Sequence, residues 1–186
     1  KKLNIENCPV VISLRNLEPI YDVETLIRAV PFVLKEFPNA KFIIIGEGSE
    51  KERLKNLAQK LKISENIKFI GYIPNDELPK YLRLADVYVS TSLSDTTSVS
   101  LLEAMVCGLT PIVTDVGENK RILNEGENGF LVPVKNARLL AEKIIYCLKN
   151  EEVRRKIGEF NRKIIEEKMN YYKEMEKMEK FYKNLA

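Results

Sequence analysis

Lys41-Phe42-Ile43-Ile44-Ile45-Gly46-Glu47-Gly48 is an apolar run too short for a helix, stopped by two glycines and followed at once by a helical pattern to about Leu61. A strand with one wet face would alternate polar and apolar residues. This one does not, so both of its faces must be covered. The same order occurs upstream, where Val10-Val11-Ile12-Ser13-Leu14 precedes Arg15-Asn16-Leu17-Glu18-Pro19 and a helical pattern from about Val23 to Phe37. Downstream, Ile67–Ile70, Val87–Ser90, Ile112–Thr114 and Phe130–Val132 read as further strands, with helices between most of them. Covered strands alternating with helices imply an α/β fold built on a doubly wound parallel sheet of about six strands. Ser49-x-x-Glu52 has the pattern of a capping box opening the second helix. From about Ala137 the strands stop and helices remain, with a break near Asn150 and a glycine at Gly158. The last stretch sets Tyr171, Met175, Met178, Phe181, Tyr182 and Leu185 at three- and four-residue spacing. It reads as an amphipathic helix that packs on its own sheet or covers a neighbouring domain.

The composition narrows the chemistry. The chain has 186 residues, 45% hydrophobic and 31% charged, which suits one globular domain with a core of its own. Lys+Arg 30 against Asp+Glu 27 leaves +3, and no basic block stands out, so a nucleic-acid partner is not expected. There is no histidine, which excludes an imidazole base, a His-containing zinc site and a Ser-His-Asp triad within this chain. Cys8, Cys107 and Cys147 are an odd, widely spaced set in apolar surroundings. They read as buried thiols in a reducing compartment, and the expected location is cytoplasmic. No signal peptide is visible, and no apolar run approaches the ~18 residues of a membrane span.

In an open parallel sheet the ligand crevice lies beyond the carboxyl ends of the strands, at the loops beginning near Leu14, Gly46, Gly71, Thr91 and Asp115. The richest of these is Thr91-Ser-Leu-Ser-Asp95-Thr-Thr-Ser98-Val99-Ser100-Leu-Leu-Glu103, small and hydroxyl-bearing, running directly into an apolar helix. Such a turn aims free amides and the positive end of a helix at whatever lies above it, which suits a phosphate or diphosphate. Its two acids, Asp95 and Glu103, are eight apart and could reach different parts of a sugar nucleotide. An equally direct reading makes Ser100-x-x-Glu103 a capping box and Asp95 a turn residue. Arg15, just past the first strand, can offer a permanently charged fork to the same crevice. Gly46-Glu47-Gly48-Ser49-Glu50-Lys51 lacks the third glycine of a dinucleotide fingerprint and follows the second strand, so it reads as a permissive turn.

These pieces resemble one family. The run from Asp95 through Glu103-Ala-Met-x-Cys-Gly108-x-x-Pro111 to Asp115 is similar to the signature of retaining glycosyltransferases of the two-lobed GT-B group, family 4 type, also called group 1. The arginine loop, the second and third strand units, Gly126-Glu-Asn-Gly129-Phe-Leu-Val and the Tyr-rich end match in order and spacing from about Val10 to Leu185. The resemblance implies that 1–186 is a nucleotide-sugar (donor) binding domain of the Rossmann-like carboxyl-terminal lobe. It also implies an acceptor-binding amino-terminal lobe outside this chain, without which the domain is inactive. Asp95 would hold hydroxyls of the transferred sugar, and Glu103 those of the ribose. The backbone of Ser98, Val99 and Ser100 would meet the diphosphate, Gly71, Tyr72 and Ile73 would flank the base, and Arg15 would neutralise phosphate charge as the nucleotide leaves. Asp95 and Arg15 are thus the expected catalytic residues. No cofactor or metal is required, because side-chain cations and a helix end support the leaving group. The acceptor is not legible, and the reading is compatible with peripheral membrane association.

The chain departs from the family pattern at four places. The first acid, usually glutamate, is Asp95; the usual Phe-Gly is Thr97-Ser98; the lysine that partners the arginine is replaced by Tyr21; and Arg121 stands where many members carry glutamate. Two rival readings are a nucleotide-sugar 2-epimerase lobe and a non-catalytic flavodoxin-like α/β module. The arginine loop and the LLEAM helix fit the transferases better. A flavodoxin-like module would put a cluster of acids at the end of the first strand, where this chain has Arg15 and Glu18.

Overall fold

Six short, mostly apolar runs form six strands, and all of them pair in parallel. They are β1 (Val10–Leu14), β2 (Lys41–Ile45), β3 (Ile67–Gly71), β4 (Val87–Ser90), β5 (Thr110–Thr114) and β6 (Phe130–Val132), in the order β3-β2-β1-β4-β5-β6. The structure is a computed structural model that describes residues 5, 7–96, 98–168, 175 and 178. The helices are α1 (Val23–Glu36), α2 (Lys51–Lys60), α3 (Leu78–Leu82), α4 (Val99–Val106), α5 (Asn119–Ile122), α6 (Ala137–Lys149) and α7 (Glu151–Lys168). This is the doubly wound α/β arrangement expected from the sequence. The strand order reverses between β1 and β4, and a cleft opens there because the chain leaves these two neighbours in opposite directions.

Alternate strand residues feed two apolar layers. Val11, Phe42, Ile44, Val87, Val89 and Ile112 face the side covered by Leu26, Ile27 and Val30 of α1 and Leu140 and Ile144 of α6. Val10, Ile12, Ile43, Ile45, Tyr88 and Val113 face the side covered by Leu82 of α3 and Leu101 and Met105 of α4. The sheet is therefore dry on both faces, which the unbroken Val/Ile runs demanded.

Some boundaries differ from expectation. β5 starts at Thr110, because a strand accepts Pro111 near its beginning, where one missing donor costs little. The expected capping box at Ser49 does not form. Glu50 occupies the cap position without a side-chain cap, while Ser49 gives its amide and hydroxyl to the Glu18 carboxylate at 2.9 and 2.6 Å. The Gly46–Gly48 turn exists for the first loop: a Cβ on Gly46, at φ +144, would lie 2.1 Å from the Arg15 carbonyl, and one on Gly48 2.4 Å from that of Leu17. The room these glycines leave is filled by protein backbone. The break at Asn150 separates α6 from α7, and α7 continues through Gly158. Of the amphipathic stretch Tyr171–Leu185, only Met175 and Met178 are described, both helical and about half exposed; the remainder lies outside the described residues.

Candidate functional site

Arg15 leaves the end of β1 with its main chain still tied to the sheet, its amide donating to the Ile45 carbonyl at 3.1 Å. Its side chain crosses to the neighbouring strand's loop, where Nε donates to Ser90 Oγ at 2.9 Å and Nη2 to Ser98 Oγ at 2.6 Å and to Asp95 Oδ2. Tyr21 lies against the guanidinium, 5.3 Å from ring centre to Cζ. The aromatic face thus supports the cation. Tyr21 ends a single 3₁₀ turn, Pro19–Tyr21; the Ile20 carbonyl accepts from Leu93 N, and those of Tyr21 and the capping Asp22 accept from Thr91 Oγ1. The first and fourth loops are bonded into one unit by these contacts.

The hydroxyl-rich bend after β4 turns toward Arg15. Its helix, α4, begins one residue after Ser98, whose hydroxyl accepts from the Leu101 amide at 3.3 Å. The cap is therefore Ser98, and the capping box read at Ser100 and Glu103 is replaced by a cap two residues earlier. Ser100 is already helical, and its Oγ lies within hydrogen-bond distance of Ser98 Oγ and of the Tyr88 hydroxyl below. The amides of Val99 and Ser100 open the first turn, which has no intrahelical acceptor for them. Val99 is 67% exposed at the mouth of the crevice. Thr97 lies outside the described residues.

Glu103 sits in the second turn of α4 with its carboxyl half-buried and without an ion-pair or hydrogen-bond partner among the described residues. Burial alone pushes that carboxyl above the usual carboxylate range. An unpartnered acid in a cleft is poorly placed for stability and well placed for a ligand.

These groups share one crevice of about 380 Å³, lined by Arg15, Tyr21, Tyr72, Ile73, Asp95, Ser98, Val99, Ser100 and Glu103. Its size is within the range of small-molecule sites, which starts at roughly 300 Å³. Tyr72 is 74% exposed on its rim. Gly71 does not line it: this glycine ends β3 and accepts from the Gly46 amide at 2.9 Å, so it supports Tyr72 and Ile73 from behind. Asn16 and Asn75 also line the crevice and Ser90 supports Arg15 from beneath; the sequence reading passed over all three. Asn16 could have been found beside Arg15 in the same loop, and Ser90 as a small polar residue closing an apolar strand.

A larger hollow, about 510 Å³, lies at the starts of α1 and α2. Its arginines are already matched: Arg28 pairs with Glu24 at 2.7 Å, and Arg53 with Glu24 and Glu50. Its acids are matched as well, Glu18 by Ser49, Asp22 by Thr25, and Glu24 and Glu50 by the arginines, so the smaller crevice is the better candidate. Among the described residues, no helix is long and apolar enough to cross a membrane.

Residues 1–164 match the sequence family described as glycosyl transferases group 1. N-acetyl-alpha-D-glucosaminyl L-malate synthase of Bacillus anthracis is 28% identical over 95% of this chain, and the chain spans 46% of that relative, less than half its length. The carboxyl-terminal domain of a glycosyl transferase group 1 protein from Francisella tularensis superposes with a TM-score of 0.80 at 25% identity, covering 88% of this chain and 89% of that one. S. aureus TarM, solved with UDP, gives a TM-score of 0.81 at 25% identity over 95% of this chain and 37% of that one.

Proposed function

Since this chain belongs to the group 1 glycosyl transferases, we propose that residues 1–186 form the donor-binding lobe of a retaining, family 4 type enzyme that moves a sugar from a nucleoside diphosphate to an acceptor. The observation that carries the proposal is convergence. One crevice at the strand-order reversal holds a fixed guanidinium, the amide end of α4 and a half-buried acid with no partner among the described residues. That S. aureus TarM, similar over 95% of this chain, was solved with UDP supports a nucleoside diphosphate as the ligand. The match to a free-standing carboxyl-terminal domain supports the lobe assignment, with the acceptor recognised by a preceding domain of the same protein.

In this reading the diphosphate lies over the amides of Ser98, Val99 and Ser100, where the helix end and Arg15 face it. Glu103 takes the ribose hydroxyls, because a carboxylate with free oxygens can accept from two vicinal hydroxyls at once. Tyr72 and Ile73, held by Gly71, flank the base, and Asp95 meets the hydroxyls of the sugar. As the sugar–phosphate bond breaks, negative charge grows on the diphosphate, and Arg15 with the α4 amides supplies the opposing charge in place. In the retaining route proposed, a phosphate oxygen of the leaving group takes the acceptor's proton on the face from which the sugar departs, and configuration is retained. Cys8, Cys107 and Cys147 are free thiols, which fits a cytoplasmic setting.

Thermal unfolding of the chain with UDP, GDP, ADP and CDP tests the proposal. One of these at ~100 times its dissociation constant adds about 2.7 kcal/mol of stability. No shift with any of the four contradicts it.

A further inference from the structure

Below the crevice runs a chain of hydroxyls that the proposed roles leave unused. Tyr88, on β4, is the largest of the fully buried side chains among the described residues, and its hydroxyl lies 2.9 Å from Ser100 Oγ. Ser100 Oγ lies 3.2 Å from Ser98 Oγ. Ser98 Oγ accepts from Arg15 Nη2 at 2.6 Å and from the Leu101 amide at 3.3 Å.

A hydroxyl has one proton and two lone pairs, so the protons can be counted. Arg15 and Leu101 fill both lone pairs of Ser98, and its proton goes to Ser100. The Tyr88–Ser100 pair then has two orientations. If Ser100 donated, the phenolic proton would have to turn to Ser98, whose lone pairs are filled, or to Ser90, which already accepts from Arg15 Nε. If Tyr88 donates to Ser100, at 2.9 Å, the protons of Tyr88 and Ser98 both have an acceptor. The proton left over belongs to Ser100, which lines the crevice.

We propose that Tyr88 is a positioning residue for phosphate: by donating to Ser100 Oγ it turns the Ser100 hydroxyl outward as a fixed donor to a diphosphate oxygen. This rests on the diphosphate reading given above. Sequence alone hides it, because Tyr88 reads as one more apolar strand residue in Val87-Tyr88-Val89.

The test titrates wild type, Tyr88→Phe, Ser100→Ala and the double variant with UDP, GDP and ADP and with the corresponding nucleosides. Tyr88→Phe keeps the ring and its packing. It weakens the preferred diphosphate about fivefold, leaves its nucleoside unchanged, and adds nothing in the Ser100→Ala background. A purely structural role would lower diphosphate and nucleoside binding together, and that result overturns the proposal, as does wild-type affinity for the diphosphate. If Tyr88→Phe fails to fold, Ser100→Ala decides: the same selective loss supports the proposal and unchanged diphosphate affinity overturns it. If the wild type binds none of the three diphosphates, the crevice reading itself falls, and this role with it.

Discussion

Arg15 Nη2 donates to Asp95 Oδ2 across eighty positions of sequence, and the two side chains are only 10% and 9% exposed. The proposed roles assign them to different ends of one donor. A donor in the crevice must therefore exchange this ion pair for two contacts of its own, phosphate on Arg15 and sugar hydroxyls on Asp95.

Asp95→Asn separates these effects. The variant loses about 1–3 kcal/mol of stability, because the buried guanidinium gives up a charged partner. Freed of that competitor, Arg15 binds a nucleoside diphosphate about three- to tenfold tighter, while sugar transfer by the enzyme that contains this lobe is lost. Urea unfolding and calorimetric titration read both. Weaker diphosphate binding would mean that Asp95 does not compete for Arg15.

Arg15→Met tests the cation itself. Affinity for a nucleoside diphosphate falls at least about tenfold and the nucleoside is unaffected, a difference that shrinks with added salt. Equal losses for both ligands would remove Arg15 from the diphosphate site.

The fold was legible because its strands are dry on both faces, and a dry strand shows itself as an unbroken Val/Ile run; β1, β2, β4 and β6 lie where those runs predict. The crevice was legible to the extent that it depends on which loops leave the carboxyl ends. What stayed hidden are pairings set by packing: Arg15 with Asp95, Ser49 with Glu18, and Tyr88 with Ser100. Local patterns even misdirected the reading of Ser49 and Ser100, since each serine found a partner from another segment or lay inside the helix it was expected to cap.

Glu103→Gln should trade stability against binding. Burial raises the folded-state pKa of this carboxyl, so the proton is held more tightly in the folded chain than in the unfolded one. That stabilisation is complete below the unfolded pKa and is lost as pH rises through the folded value. At neutral pH the ionised acid is therefore a burden that glutamine removes. The variant has a higher urea midpoint than wild type at pH 7 and an equal one at pH 4, and binds the nucleotide about tenfold more weakly. A lower midpoint at pH 7 would reveal a stabilising role for Glu103.

Gly117→Ala probes how the fifth loop supports the fourth. Gly117 has φ +51, and a Cβ there would lie 1.7 Å from the Asp95 carbonyl oxygen. Alanine must push the Asp95 loop away, with a loss of about 1–3 kcal/mol by urea unfolding and a parallel loss of nucleotide affinity. Wild-type stability and binding would show that this contact is easily relieved.

The central claim concerns where a pyrophosphate sits, and a crystal structure of the chain with the nucleoside diphosphate that most raises its unfolding temperature tests it most directly. The account predicts phosphate oxygens within hydrogen-bond distance of the Ser98–Ser100 amides and the Arg15 guanidinium, with the ribose hydroxyls on Glu103. Phosphates lodged instead in the larger hollow beside Arg28 and Arg53, with the Arg15–Asp95 pair undisturbed, would contradict it.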